Sequence, residues 1–244
     1  MDAKEMNRMN GKVVIITGGG RGIGRSTALL FSSEEAKVVV ASRNESELKR
    51  TSREIKKSGG EFLGLKCDVR KTSDIRRVVS ATPKKFGRID ILVNNAGVVY
   101  QGPLDEMKEN EVDEQIDTNL RGLIHFCRIV VPHMVKQRGG VIVNVASGAG
   151  HHAFENLAVY CATKSGVLAV TSSLAKEVGR HGVKVFAVCP GAVDTKMQEK
   201  ILGSKVYRVA KLVMIRPEKI ANKILELASG KSSVSSGGCA NVYF

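Results

Sequence analysis

The sequence predicts an α/β fold in a single domain, a doubly wound parallel sheet of seven strands with helices on both faces. Three observations predict it. Short apolar runs rich in Val and Ile alternate with longer helical patterns along the chain, the alternation that builds a parallel sheet with crossover helices. Most of these runs are apolar at successive positions, as strands covered on both faces must be. The first run enters a helical pattern through a cluster of glycines, where the missing Cβ lets the backbone turn sharply.

Val13 to Thr17 is the first strand, and Gly18-Gly19-Gly20-Arg21-Gly22-Ile23-Gly24 carries it into a helix that begins with Arg25-Ser26-Thr27-Ala28. The spacing is Gly-x-x-x-Gly-x-Gly. At the first strand of a Rossmann-type fold such a turn brings backbone N–H groups and a helix N-terminus up to a pyrophosphate, which places Gly18, Arg21, Gly22, Ile23 and Gly24 over a dinucleotide. Val38 to Ala41 is the second strand. Asn44 follows as a helix cap with Glu47 three residues on, and the helix runs through Lys57 to a stop at Gly59-Gly60. Phe62 to Cys67 is the third strand. The next helix begins near Thr72 or Ser73, and Pro83 is expected to end or distort it before Phe86-Gly87. Ile91 to Asn94, Val141 to Val145 and Val183 to Val188 are the next strands, with helices around Asp117 to Lys136 and Val159 to Arg180 between them. Pro217 stands in the tolerated first turn of the last helix, and Ala240 to Phe244 closes the sheet.

With 244 residues, 43% of them hydrophobic and 25% charged, the chain suits one globular domain over residues 11–244 behind an extension of residues 1–10. No apolar run reaches the length of a membrane span, and Met1 to Asn10 carry no apolar leader, so a cytoplasmic protein with no membrane partner is expected. Cys67, Cys127, Cys161, Cys189 and Cys239 are scattered without a Cys-x-x-Cys pair and read as reduced, mostly buried thiols. No metal is expected. His151-His152 lacks a spaced third ligand and reads as a loop that could wall a pocket. The formal charge of +14 comes without Trp or interleaved aromatics, which argues against nucleic acid as partner.

Tyr160 and Lys164 carry the chemistry. Residues four apart share one face of a helix, so the phenol and the ammonium point into the same cleft, and the cation is expected to lower the phenol's proton affinity. A phenol tuned in this way acts as general acid or base at a carbonyl or alcohol oxygen. Ser147 ends the run Val141-Ile142-Val143-Asn144-Val145-Ala146, so its hydroxyl is expected at the strand tip, polarising the same oxygen.

Taken in order, Thr17 to Gly24, Asp68-Val69, Asn94-Asn95-Ala96-Gly97, Asn119, Ser147, Tyr160 with Lys164, and Pro190-Gly191 with Thr195 resemble the compact, single-domain branch of the short-chain dehydrogenase/reductases. In character the chain is nearest to the 3-oxoacyl-[acyl-carrier-protein] reductases. The resemblance implies an NAD(P)-dependent oxidoreductase with Asn119, Ser147, Tyr160 and Lys164 as its catalytic group. It implies further that Asp68 and Val69 contact adenine, that Asn95, Ala96 and Gly97 line the ribose while steadying the central strand, and that Lys164 also binds ribose. Asn119 corresponds to an asparagine whose helix distortion holds a water linking the lysine to solvent. Pro190, Gly191, Val193 and Thr195 are expected to fold over the nicotinamide. A homodimer or homotetramer is expected, but many family members continue past the last strand with an Asp-Gly-Gly segment that packs between subunits and is not seen here, so the resemblance does not carry over a tetramer.

The choice between NADP(H) and NAD(H) turns on the end of the second strand. No carboxylate stands there, whereas Ser42 and Arg43 offer a hydroxyl and a guanidinium to a 2′-phosphate, with Arg21 opposite. NADP(H) is therefore expected over NAD(H), with Glu45 as the ribose ligand in the alternative. Residues 196–216 are the variable substrate lid, holding Lys196, Lys200, Lys205, Arg208, Lys211 and Arg216 against Glu199 alone. That balance favours an anionic or carrier-bound acyl-thioester substrate. The alternatives are a sugar, polyol or other small secondary alcohol and, in another class, a non-catalytic NADP-binding regulatory protein.

Overall fold

The computed structural model describes residues 9–243. Of the expected extension only Met9 and Asn10 fall in that range, and Phe244 lies outside it. Seven strands form one parallel sheet: β1 (Val13–Thr17), β2 (Lys37–Ser42), β3 (Phe62–Lys66), β4 (Ile91–Asn94), β5 (Gly140–Val145), β6 (Val183–Pro190) and β7 (Cys239–Val242). Their order is β3-β2-β1-β4-β5-β6-β7. The chain therefore winds outward from β1, returns past it to β4 and winds the other way, which opens a crevice above the carboxyl ends of β1 and β4.

The helices are α1 (Gly22–Ser33), α2 (Glu45–Lys57), α3 (Thr72–Phe86), α4 (Glu109–Ile116), α5 (Gly122–Lys136), α6 (Ala158–Val178), α7 (Lys196–Ala210) and α8 (Pro217–Ala228). Alternate strand residues feed two separate cores. Val13, Ile15, Val39 and Leu92 pack with Val78, Phe126, Val130 and Val167 from α3, α5 and α6. Val14, Ile16, Val38 and Val93 pack with Phe31, Ile220 and Ile224 from α1 and α8. Every β1 side chain except Thr17 is apolar and fully covered, which makes burial in these two cores the main stabilising force.

Two expectations are corrected. Pro83 neither ends nor interrupts α3, which continues to Phe86. It stands in the last turn, where its missing N–H costs one hydrogen bond, and the stop comes from Gly87, in the left-handed region (φ 84°) with its N–H on the Pro83 carbonyl at 2.8 Å. The second concerns sulfur. Cys189 and Cys239 are joined in a disulfide, not held as two reduced thiols. They are 50 residues apart in the chain, but adjacency of β6 and β7 brings their Cα atoms to 6.5 Å.

Candidate active site

The turn after β1 forms one wall of a cleft. Gly18 (φ 65°) and Gly22 (φ 50°) adopt left-handed backbone, open to glycine without strain. α1 starts at Gly22 with no side-chain cap and no acid in its first turn, so its first N–H groups remain open to an anion. Gly18, Arg21, Gly22 and Ile23 all line the cleft. Gly24 does not. A Cβ there would stand 2.4 Å from the Gly18 carbonyl oxygen, so its place is behind the turn, letting α1 close onto β1.

The cleft encloses about 1040 Å³ and follows the strand ends from Ser42 and Arg43, past Val69, Asn95, Ala96 and Gly97, to Pro190, Gly191, Val193 and Thr195. Asn95 pins the two halves of the crevice together, its Nδ2 donating to the Thr17 carbonyl at 2.9 Å while its N–H meets Thr17 Oγ1 at 2.9 Å. The donor set fits a dinucleotide, with an uncapped helix N-terminus near the middle and polar side chains at both ends.

Ser147, Tyr160 and Lys164 meet at the β5 side of this cleft. Ser147 lies two residues past the end of β5 and starts a tight turn, its Oγ accepting the Ala149 N–H at 3.2 Å. Tyr160 and Lys164 are both buried, and the ammonium lies 5.6 Å from the phenol ring centre. Its one hydrogen bond is to the Val145 carbonyl, at 2.9 Å. Burial lowers Lys164 to a pKa of about 8 and pushes Tyr160 up to about 12, with the Ser147 hydroxyl pulling the phenol back only in part. The expected acidification of the phenol by Lys164 is not seen in the protein alone: burial is the largest influence on Tyr160 and the Ser147 hydroxyl the one that lowers it.

Asn119 stands one layer back. It lies in a π turn, Asp117–Arg121, between α4 and α5, so the helix distortion expected there is present. Its Oδ1 accepts the Val98 N–H at 2.8 Å, and its Nδ2 donates to the Val98 carbonyl at 2.9 Å and to Thr163 Oγ1 at 3.2 Å. It ties the segment after β4 to the turn of α6 between Tyr160 and Lys164.

At the other end, Ser42 and Arg43 line the cleft, but Arg43 donates to Glu114 at 2.9 Å. Glu114 also takes the Tyr100 hydroxyl at 2.7 Å and lies 3.3 Å from Arg70. The Tyr100 hydrogen bond and then Arg43 hold its carboxyl below the usual range. Glu45, the alternative ribose ligand, pairs with Lys66 at 2.9 Å and is not part of the cleft wall. Glu47 is, with Arg21 at 4.0 Å from it, and Arg50 beside them donates to the Gly20 carbonyl at 2.9 Å. Asp68 is not part of the cleft wall, and both its carboxylate oxygens are taken by Arg70 at 2.7–3.1 Å. Cys67 and Val69 face the cleft in its stead.

Sequence reasoning missed the substrate side. Phe154, Leu157, Met197, Ile201, Tyr207 and Tyr243 line it, and no periodicity marks them because they come from loops and the lid. The expected lid is α7 with a break at Gly203 (φ 72°) and a short 3₁₀ turn, Lys211–Val213. Tyr207 donates to Asp194 at the lid's base, and Lys200 sits 3.9 Å above the Tyr100 ring. A second recess of about 470 Å³ adjoins at Ile201, between Lys200 and the segment Val99 to Pro103. His152 walls the main cleft and His151 does not.

Comparison with known proteins agrees with this geometry. The short chain dehydrogenase family model matches residues 12–205. The 3-oxoacyl-[acyl-carrier-protein] reductase FabG of Thermotoga maritima is 38% identical over 234 residues, covering 94% of this chain and 95% of its own. The protein of the same name from Staphylococcus epidermidis is 34% identical over 238 residues, covering 95% and 97%. Among solved structures, levodione reductase superposes with a TM-score of 0.91 at 30% identity, covering 96% of each chain.

Proposed function

The chain belongs to the short-chain dehydrogenase family, and from that premise we propose that this oxidoreductase reduces the keto group of a 3-oxoacyl thioester with NADPH. Tyr160 delivers a proton to the substrate oxygen on reduction and accepts one when an alcohol is oxidised. Ser147 donates a hydrogen bond to that oxygen and holds it at the phenol. Bound along the cleft, the nicotinamide supplies the hydride. Lys164 binds the ribose and, once its ammonium is near the phenol's developing charge, favours release of the phenolic proton. Asn119 positions this group through Val98 and Thr163.

The observation that carries the reading is the buried phenol beside Ser147 in a cleft whose apolar lining includes Phe154, Leu157, Met197 and Ile201. A phenol protonated at neutral pH is poised as the acid for reduction, and the wall suits an acyl chain better than a sugar. Ser42, Arg43 and Arg21 support NADPH, and Arg50 adds a third guanidinium at that end. The lid's basic excess supports an anionic carrier arm. Homodimerisation would use α5 and α6, near which Ile116 and Ile124 are exposed.

NADPH consumption assayed against acyl thioesters, simple ketones and sugars tests the substrate. Acyl thioesters should be turned over fastest, and preference for sugars would sink that reading. In the same assay Tyr160→Phe should lower kcat by about 10³-fold while NADPH fluorescence still reports binding. Turnover surviving that change would remove the phenol from the mechanism.

A further inference from the structure

Behind the nicotinamide wall, outside the cleft, three ligating side chains converge from separate parts of the chain. His151 follows the turn that starts at Ser147, Cys189 is the next-to-last residue of β6, before Pro190, and Cys239 opens the edge strand β7. Their donor atoms all lie within 4.8 Å of one another. Cys189 is fully buried, Cys239 half-buried and His151 exposed, so the group runs from the core to solvent. Among the described residues it is a gathering of donors that the sequence, with its scattered cysteines, did not suggest.

We propose that His151, Cys189 and Cys239 form a zinc site gated by the redox state of the sulfur pair. In the disulfide seen here each sulfur is bonded to the other, and neither carries the negative charge that a metal requires. A dithiol reductant opens the site: the S–S bond breaks, the cysteines gain two electrons and two protons, and the reductant leaves as its own disulfide. Zinc then displaces the two thiol protons. A tetrahedral ion with sulfur at about 2.3 Å and imidazole nitrogen at about 2.0 Å sets its donors about 3.5 Å apart, within reach of small side-chain rotations here. Two thiolates and one imidazole select a soft or borderline cation over magnesium or calcium. They also neutralise it, which a site on the edge of an apolar core demands. The fourth position opens at exposed His151 and is left to water.

The site connects to the cleft at two points. Cys189 is the residue before Pro190-Gly191, and Tyr243, four residues after Cys239, packs against Gly148 and Gly191. Metal bound here would hold the β6 and β7 ends together as the disulfide does.

The test uses the full chain, reduced with a phosphine, freed of reductant without air, and titrated with Co²⁺ as a coloured stand-in for zinc. One equivalent should bind with a thiolate-to-cobalt charge-transfer band that Zn²⁺ abolishes. The oxidised protein and Cys239→Ser should lack that band, His151→Ala should bind at least about tenfold more weakly, and Cys161→Ser should behave as wild type. His151→Ala, in an exposed turn, carries the test should Cys239→Ser fail to fold. No charge-transfer band in the reduced protein, a band that survives Cys239→Ser, or unchanged affinity in His151→Ala would mean an adventitious ion only, and would overturn the site.

Discussion

At Tyr160 and Lys164, burial and charge act against each other. Both groups are kept neutral more readily than in water, Lys164 with a pKa of about 8 and Tyr160 with one of about 12. Below pH 8 Lys164 is charged in folded and unfolded chains alike, and the folded chain bears the whole desolvation cost. Between pH 8 and its ordinary 10.5 the unfolded chain binds more protons, so stability from this group rises with pH. Tyr160 has the opposite sign: above pH 10 the unfolded phenol ionises while the folded one keeps its proton to about 12, and stability falls. Lys164→Met should therefore stabilise the free protein by about 3 kcal/mol at pH 7, and by under about 1 kcal/mol at pH 10. Urea unfolding at the two pH values reads this, and an equal gain at both would show that Lys164 is not the source. At the Ser42 end of the cleft Arg43 is shared with Glu114 at 2.9 Å, so under the proposed NADPH reading a 2′-phosphate there would compete with a carboxylate. Glu114→Gln should tighten NADPH by about three- to tenfold and leave NADH unchanged, whereas Arg43→Asp should loosen NADPH by tenfold or more. Fluorescence titration with both coenzymes checks the pair. Parallel changes for NADH and NADPH would exclude a phosphate-specific role.

At the scale of elements, the site depends on how α1 and the α4–α5 pair are seated. Gly24 lets α1 approach β1 so closely that an added methyl would meet the backbone oxygen of Gly18 at 2.4 Å and Asn95 Nδ2 at 2.5 Å. Backbone cannot yield as a flexible side chain can. Gly24→Ala should cost about 2–3 kcal/mol and lower Tm by roughly 5–10 °C, with NADPH affinity reduced as the turn shifts. Calorimetry gives the answer, and an unchanged Tm would mean the turn tolerates the methyl. The π turn at Asp117–Arg121 matters for a related reason. By interrupting the regular helix it aims Asn119 at Val98 and Thr163, and hence at the backbone that carries Tyr160.

Across the whole molecule charge is uneven in its effects. The formal +14 includes a net five positive charges over residues 196–216, on a lid that joins the site through Met197, Ile201 and Tyr207. If the lid meets an anionic carrier, KM for carrier-bound substrate should rise steeply between low and high salt while KM for a short neutral thioester barely moves. Equal salt dependence for both would make the lid charge a solvated surface. The seven strands and their places along the chain, the buried β1, the capped start of α2 at Asn44 and the gathering of Ser147, Tyr160 and Lys164 were legible in the sequence, because each rests on local spacing. Strand period, helix period and turn chemistry act over a few residues, and the linear order of motifs records them. Tertiary structure alone decided that Gly24 packs and does not line the cleft, that Asp68 is spent on Arg70, that Glu114 holds Arg43, and that Cys189 meets Cys239 beside His151. Each of these depends on groups brought together through sheet order or loop packing. Neither distance in space nor depth from solvent is written in the spacing of residues along the chain.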